Sequence, residues 1–210
     1  MFIRLGAIFV KHMILKRLFD LLFAASGLLA LLPLFVIIAI VIKLDSKGPV
    51  FFRQERIGRF GVPFRIHKFR TMSVNSEAKG LQLTTGGDSR ITQAGQCLRK
   101  YKLDELAQLI DVLLGKMSLV GPRPEVPRYV ALYPEQAKKV ILSVRPGITD
   151  LASIEFKDEN EILTASKNPE TDYIDKILPV KMSYYQKYVL ERSLWFDLVV
   201  IFKTLRAIVK

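Results

Sequence analysis

Cysteine is almost missing from this chain. Cys97 stands alone, so no disulfide framework can form and no thiolate metal site can assemble. Histidine is nearly as scarce: His12 and His67 lie far apart, which argues against a histidine-based metal site. No small-x-small site closes the N-terminal apolar run, which excludes a cleavable signal peptide. No internal repeat and no low-complexity tract is visible. Acidic residues are in deficit, 20 against 32 basic, for a formal net charge of +12. A surplus of that size favours a polyanionic partner, and nucleic acid, anionic lipid and phosphorylated substrates are the three classes to weigh.

What is present is apolar. Half of the 210 residues are hydrophobic, yet 25% are charged, too many for a polytopic membrane protein. The mean hydropathy of +0.23 is high for a soluble domain. The middle case is one domain tied to a bilayer. From Leu21 to Ile42 there is no charge, about 22 residues, long enough to cross a bilayer core. Pro33 interrupts that run, and both flanks are basic. Arg4, Lys11, Lys16 and Arg17 precede it against Asp20. Lys43, Lys47, Arg53, Arg56, Arg59, Arg65, Lys68 and Arg70 follow against Asp45 and Glu55. Basic flanks prefer the cytoplasm. A break at Pro33 would give two arms too short to span, so the segment reads as a re-entrant helix hairpin ahead of a kinked spanning helix. The expected organisation is a leader over 1–15 with Met13 as an alternative start, the hairpin over 16–44, a cytoplasmic domain over 45–192 and an amphipathic helix over 193–210.

The fold class expected is α+β, mainly helical. Short strands at 50–52 and 64–66 flank a turn at 59–63, and 73–87 reads as a loop. Helices are expected over 90–99 and 103–114, the latter from Leu103, Leu106, Leu109 and Leu113. Pro122, Pro124 and Pro127 make 120–127 extended and stiff. Helices follow over 125–143, interrupted near Pro134, over 160–167, and over 172–188 with a bend near Pro179. In the last helix Trp195, Phe196, Val199, Phe202 and Leu205 form an apolar face and Lys203, Arg206 and Lys210 a basic one. Either a membrane interface or the protein core could cover it.

Asp104 and Glu105 open the 103–114 helix. Acidic residues cap helix N-termini, and that alone could account for them. An aspartate can also attack phosphorus and form an acyl-phosphate, splitting one difficult transfer into two steps. Two carboxylates beside an anionic substrate require Mg²⁺ and arginines. Arg99 lies nearby, Arg123 is framed by Pro122 and Pro124, and Arg145 precedes a rigid Pro-Gly turn. Lys68 and Arg70 alternate on an expected strand, and Asp88-Ser89-Arg90 follows a Gly-Gly pair. A bilayer anchor joined to a carboxylate pair makes nucleic-acid binding the weaker account of the charge.

These segments resemble, in order, the motifs of the bacterial sugar transferases, the monotopic phosphoglycosyl transferases. The match begins at Lys16-Arg17-Leu18-Phe19-Asp20 and continues through Gly48-Pro49-Val50, Arg53-Gln54-Glu55-Arg56-Ile57-Gly58 and Lys68-Phe69-Arg70-Thr71-Met72. Asp88-Ser89-Arg90-Ile91-Thr92, Leu98-Arg99-Lys100 and Leu103-Asp104-Glu105-Leu106 follow. It closes with Met117 to Glu125 and Arg145-Pro146-Gly147-Ile148-Thr149. The resemblance implies that Asp104 attacks the β-phosphate of a UDP-sugar and releases UMP. Polyprenyl phosphate then takes the phosphosugar, with Glu105 assisting acceptor activation or metal binding. It implies Mg²⁺ at Asp104 and Glu105, and substrate binding by Lys68, Arg70, Thr71, Asp88, Arg90, Arg99, Pro122, Arg123 and Arg145. It also implies a proline break at Pro33, the short form of the family, and a place on the cytoplasmic face of the inner membrane. Membrane lipid and downstream glycosyltransferases are the further partners, and nucleic acid is not one. Ala107 stands where the family usually has proline, and Lys116 where it usually has aspartate. Asp111 replaces a frequent asparagine and is the candidate to compensate for Lys116. The segment 150–160 also departs from the family pattern. A non-enzymatic membrane adaptor and a lipid-diphosphate phosphohydrolase are the rivals; the latter lacks a His or multi-Asp metal cluster.

Overall fold

The computed structural model describes the backbone over 2–74 and 88–209 and side chains from Met13 to Ile208. Most of the expected 73–87 loop, and the side chains of the leader, lie outside the described residues. In chain order the elements are α1 (Phe2–Asp45), β1 (Phe51–Ile57), β2 (Pro63–Phe69), α2 (Gln93–Lys100), a 3-10 segment (Leu103–Ala107) and α3 (Gln108–Leu113). Then come β3 (Ser118–Val120), α4 (Pro127–Val130), α5 (Glu135–Ile141), β4 (Gly147–Thr149), α6 (Leu151–Glu155), α7 (Glu159–Thr164) and α8 (Pro169–Asp172). A wide helical turn over Tyr173–Ile177 leads to α9 (Leu178–Glu191) and α10 (Leu194–Val209). The mainly helical α+β class agrees with the sequence reading.

Pro33 does not split α1 into two helices; one helix runs from Phe2 to Asp45 with Pro33 inside it. Proline removes one ladder hydrogen bond, but an apolar helix in lipid has no better place for the remaining backbone groups, so the ladder resumes beyond it. The helix does not project from the domain. Lys16, Asp20, Ala24, Leu28, Leu31, Phe35, Ile38 and Ile42 recur at three- and four-residue steps and are all buried or half-buried. Ala24, Leu28 and Leu31 pack with Phe64, Ile66, Leu109, Val112 and Met117. Phe35, Ile38 and Ile42 pack with Phe69, Leu98 and Ala107. The remaining surface of the helix exposes Leu22, Phe23, Leu29, Leu32, Val36, Ile37, Ile40 and Val41.

β1 and β2 form an antiparallel hairpin with Phe51 opposite Phe69 and Ile57 opposite Pro63. The strands are longer than their apolar cores suggested, because the polar run Arg53–Arg56 continues the pairing. β3 and β4 form a parallel pair, Ser118 with Gly147 and Val120 with Thr149, connected across α4 and α5. A second core lies away from α1, built on Tyr129, Tyr133, Ile141, Leu163, Tyr173 and Tyr185. The expected 125–143 helix is two short ones, since Pro127 starts α4 and Pro134 precedes α5. For α10 the core reading holds for part of the helix. Val200 is buried with Val120 and Tyr188, whereas Trp195, Phe202 and Leu205 are exposed.

Polar contacts lock α1 to this one domain at two places, near Lys16 and at its C-terminus. Lys16 Nζ lies 2.8 Å from both Asp20 Oδ1 and Asp197 Oδ2, joining α1 to α10. Asp20 in turn accepts from Ser118 Oγ at 2.8 Å and from the Leu119 N–H at 3.2 Å. At its end, Arg70 spends its guanidinium on the chain leaving the helix. Nε donates to Pro49 O, Nη1 to Ser46 Oγ and Lys47 O, and Nη2 to Ile42 O and Ser46 O. Arg70 is buried, and these bonds use all five of its donors. Arg70, expected to bind substrate, is placed by the structure beyond the end of β2 at Phe69, where it satisfies the orphan carbonyls of a helix C-terminus. A lysine cannot reproduce that fork. Arg70→Lys should lose about 3 kcal/mol through buried carbonyls left without donors, visible as a lower Tm in detergent, with affinity for phosphorylated ligands unchanged.

Candidate active site

Three separate pieces of chain meet at Glu105. Lys68 comes from β2, Glu105 from the 3-10 segment, and Arg123 from the proline-framed connection after β3. Lys68 Nζ lies 2.8 Å from Glu105 Oε1. Arg123 Nη1 donates to Oε2 at 3.0 Å, and its Nη2 donates to Oε1, completing a bidentate pair. Burial alone would push the Glu105 carboxyl up, but Arg123 and Lys68 overcome it and hold it well below the usual carboxylate range. Glu105 raises Arg123 well above an ordinary guanidinium, while burial lowers Lys68. Arg56, from β1, props the Arg123 segment by donating from Nη1 to Pro124 O at 3.1 Å.

Asp104 is held differently. The chain enters its segment through Lys102 in the left-handed region, φ 54, a strained conformation for a lysine. Lys102, not Asp104, occupies the cap position, and no side chain caps there. The helix-cap reading of Asp104 thus has no hydrogen bond to support it. Asp104 is buried, yet among the described residues nothing donates a hydrogen bond to its carboxylate. Burial pushes its pKa up and adjacent Glu105 adds to that, while Lys68, Arg99 and Lys102 oppose it.

Arg99 is aimed by Thr71, whose Oγ1 accepts from Nε at 2.9 Å. Thr71 can do this because α2 sits directly on it: a Cβ on Gly95 would lie 2.1 Å from the Thr71 carbonyl oxygen. Asp88 and Arg90 form their own bidentate pair and bear electrostatically on Arg99. The structure therefore gathers Lys68, Arg99 and Arg123 around Asp104 and Glu105, with Thr71 and Asp88 behind Arg99. Pro122 frames the segment, its carbonyl accepting from the Gly147 N–H at 3.0 Å. Arg145 is placed elsewhere: its Nε donates to Gly115 O at 2.8 Å, and its charge bears on Arg17 and Arg59 rather than on the carboxylates.

Asp111 cannot compensate for Lys116. It is fully buried, and its two oxygens accept from the His67 N–H at 2.7 Å and meet His67 Nδ1 at 2.8 Å, fastening β2 to α3. Sequence reasoning missed Lys102, Arg56 and His67. Lys102 carries no sequence signal for its left-handed backbone, and the other two announce themselves only through cross-chain partners. For a metal, no cluster of three or more His, Cys, Asp or Glu exists among the described residues. Mg²⁺ is commonly held by one or two carboxylates and completed by substrate phosphates, which fits the open Asp104 carboxylate. Glu105 fits less well, since both its oxygens are engaged.

Known proteins align with this arrangement along nearly the whole chain. The family model described as bacterial sugar transferase matches residues 11–210. The UDP-N-acetylgalactosamine-undecaprenyl-phosphate N-acetylgalactosaminephosphotransferase of Aeromonas hydrophila is 37% identical over 196 residues, 92% of this chain and 43% of the relative. The UDP-glucose:undecaprenyl-phosphate glucose-1-phosphate transferase of Escherichia coli is 38% identical over 193 residues, 91% of this chain and 39% of the relative. The exopolysaccharide production protein ExoY of Sinorhizobium fredii is 34% identical over 218 residues, 97% of this chain and 89% of the relative. The chain thus spans less than half the length of the first two and most of the third. On the match to its model and the extent of these alignments, the chain belongs to the bacterial sugar transferase family.

Proposed function

We propose that this protein transfers a sugar-1-phosphate from a UDP-sugar to a polyprenyl phosphate, through a covalent intermediate on Asp104, and so starts the assembly of a polysaccharide. The asymmetry of the carboxylate pair carries this reading: Glu105 is clamped by two cations, whereas Asp104 is unclamped among three. An Asp104 oxygen attacks the β-phosphorus of the donor, the bond from that phosphorus to the bridging oxygen breaks, and UMP leaves. An oxygen of the polyprenyl phosphate then attacks the same phosphorus, the acyl-phosphate bond breaks, and Asp104 returns to a carboxylate. The acceptor phosphate is already ionised near neutral pH, so this step needs no general base. Glu105 instead keeps Lys68 and Arg123 charged and in place. Arg99, aimed by Thr71, offers its remaining donors to the phosphoryl oxygens. When bound, Mg²⁺ neutralises diphosphate charge, with Asp104 as the open protein ligand and Glu105 available only if its clamp loosens. The names of the relatives point to UDP-glucose and UDP-N-acetylgalactosamine as the donors to try first. Downstream glycosyltransferases would take the lipid-linked product.

The reading also places α1 in the cytoplasmic leaflet with both ends on one side. Its support is the double attachment: Lys16 and Asp20 are fixed to α10 and β3, and the Ile42 and Ser46 carbonyls to Arg70. A spanning helix would carry one of those ends about 30 Å across the bilayer from the domain that holds it. The exposed face of α10, with Trp195, Phe202 and Leu205, would lie in the same interface.

With purified protein, UDP-sugar alone should give a burst of at most about one UMP per site, with a phosphosugar on the Asp104 peptide, and ping-pong kinetics once acceptor is added. Asp104→Asn should abolish the burst while keeping the fold; near-normal turnover would sink the mechanism. Glu105→Gln should depress burst and steady transfer together, and a surviving burst with slow transfer would return Glu105 to the acceptor step. For topology, Lys11→Cys and Lys47→Cys in a Cys97→Ser background should both resist an impermeant thiol reagent applied outside intact cells. Labelling at position 11 alone would establish a spanning helix.

A further inference from the structure

A second cluster of cations lies apart from the carboxylates. Arg17, Arg59 and Arg145 are each fastened by a single guanidinium nitrogen to a main-chain carbonyl. Arg17 Nη2 donates to Leu113 O at 3.3 Å, Arg59 Nε to Ser143 O at 2.9 Å and Arg145 Nε to Gly115 O at 2.8 Å. None of the three forms an ion pair with a described residue, and Arg17 Nη1 is buried without a hydrogen-bond partner. The guanidiniums are neighbours: a Cβ on Gly115, whose carbonyl holds Arg145, would lie 3.5 Å from Arg17 Nη2, and Arg59 is held by Ser143, two residues before Arg145. Burial and the Arg145 charge lower both Arg17 and Arg59, and Asp20 offsets this in part at Arg17. Like charges gathered this way and oriented by carbonyls are arranged for an anion. Lys116, exposed and next to the Gly115 carbonyl that holds Arg145, stands where the family motif usually has an aspartate. Lys116 adds a fourth cation beside the Arg145 anchor.

The surroundings say which anion. Arg59 lies under Phe60, 4.3 Å from its ring centroid, at the tip of the β1–β2 hairpin. Phe60 is 71% exposed and Val62 is 62% exposed, two apolar side chains held out by a turn whose backbone is pinned by the Phe60 N–H to Leu142 O bond of 2.7 Å. Phe60 keeps a left-handed φ of 61 to make that presentation. Leu113 and Leu114, beside the Arg17 anchor, are exposed as well. Arg17 itself is on α1, just before the uncharged run begins. A soluble phosphate would gain nothing from the apolar tip, whereas a lipid presents phosphate and acyl chain together.

Resting on the membrane reading above, we propose that Arg17, Arg59 and Arg145, with the Phe60–Val62 hairpin tip, form a headgroup site that binds the phosphodiester of an anionic phospholipid and inserts the tip into the interface. The hairpin that carries Lys68 at one end would then be moored to the bilayer at the other. The test uses the full chain in phosphatidylcholine bilayers of increasing phosphatidylglycerol content. Phe60→Trp in a Trp195→Phe background supplies a single fluorophore, read by lipids brominated high on the acyl chain, with Leu29→Trp as the control on α1. The expected result is quenching at position 60 that grows with phosphatidylglycerol. Arg145→Gln and Lys116→Asp should raise the phosphatidylglycerol needed by roughly fivefold for each positive charge removed. No quenching at position 60, with position 29 quenched, would overturn this inference and leave the membrane reading standing. Absence of quenching at both would overturn the two together. Quenching indifferent to phosphatidylglycerol and to Lys116→Asp would leave an inserted tip without a headgroup site, against the proposal. If polyprenyl phosphate at a few mole per cent replaced the phosphatidylglycerol requirement, the site would belong to the acceptor and the phospholipid assignment would fall.

Discussion

The clamp on Glu105 organises the site because three distant stretches of chain share a charge there. Lys68, Glu105 and Arg123 are half-buried at most in exposure, so each would be expensive to leave unpaired. Satisfied together, they fix the 3-10 segment against β2 and against the rigid Pro122-Arg123-Pro124 frame. Asp104 is then placed by its neighbour, with no partner of its own. A nucleophile tied by hydrogen bonds would have to break them to attack. Here the positional constraint falls on Glu105, and the oxygens of Asp104 remain uncommitted, as the proposed attack requires.

The membrane helix belongs to the same construction. Phe64, Ile66 and Phe69 on β2 pack into the clusters beneath α1, while Lys68 leaves the strand toward Glu105. By alternation Phe64, Ile66 and Lys68 share one face of β2, so the strand face that packs under α1 also carries the cation that meets Glu105. Ala107, closing the 3-10 segment, sits in the cluster with Ile38, Ile42 and Leu98, so the floor of the site is partly made of α1. In the proposed reaction a water-soluble donor and a membrane-confined acceptor meet at one phosphorus. A site built directly on the anchor shortens the distance the acceptor phosphate has to leave the headgroup plane.

Much of this was legible in the sequence, and the failures have physical causes. The apolar run, the proline-framed Arg123 and the strand around Lys68 follow from periodicity and local stereochemistry, whereas the Asp104-Glu105 pair could equally be a helix cap until the family resemblance singled it out. Alternation places Arg70 on the Lys68 face only while the strand continues, and the strand ends at Phe69. Arg145 looked like Arg123, a cation beside a rigid turn, but rigidity carries no direction. The parallel pairing of β3 with β4 brings together residues 118–120 and 147–149, and no local pattern predicts it. The 3-10 geometry of Leu103–Ala107 depends on the left-handed turn at Lys102, for which a lysine gives no notice.

The departures from the family pattern sort by where they fall. Asp111 lies in the interior, and its second oxygen is matched to a histidine ring rather than to substrate. Ala107 presents a methyl to a packed cluster, where a proline at the same junction would give up a backbone donor, so the exchange asks nothing of the chemistry. Lys116 differs in kind. It is exposed, has no buried partner to satisfy, and changes the sign of a surface that already gathers three arginines. A charge reversal in such a place leaves the fold unaffected and alters what the surface attracts. The clamp around Glu105 tolerates no such freedom, since Glu105 is the carboxylate that both Lys68 and Arg123 bond.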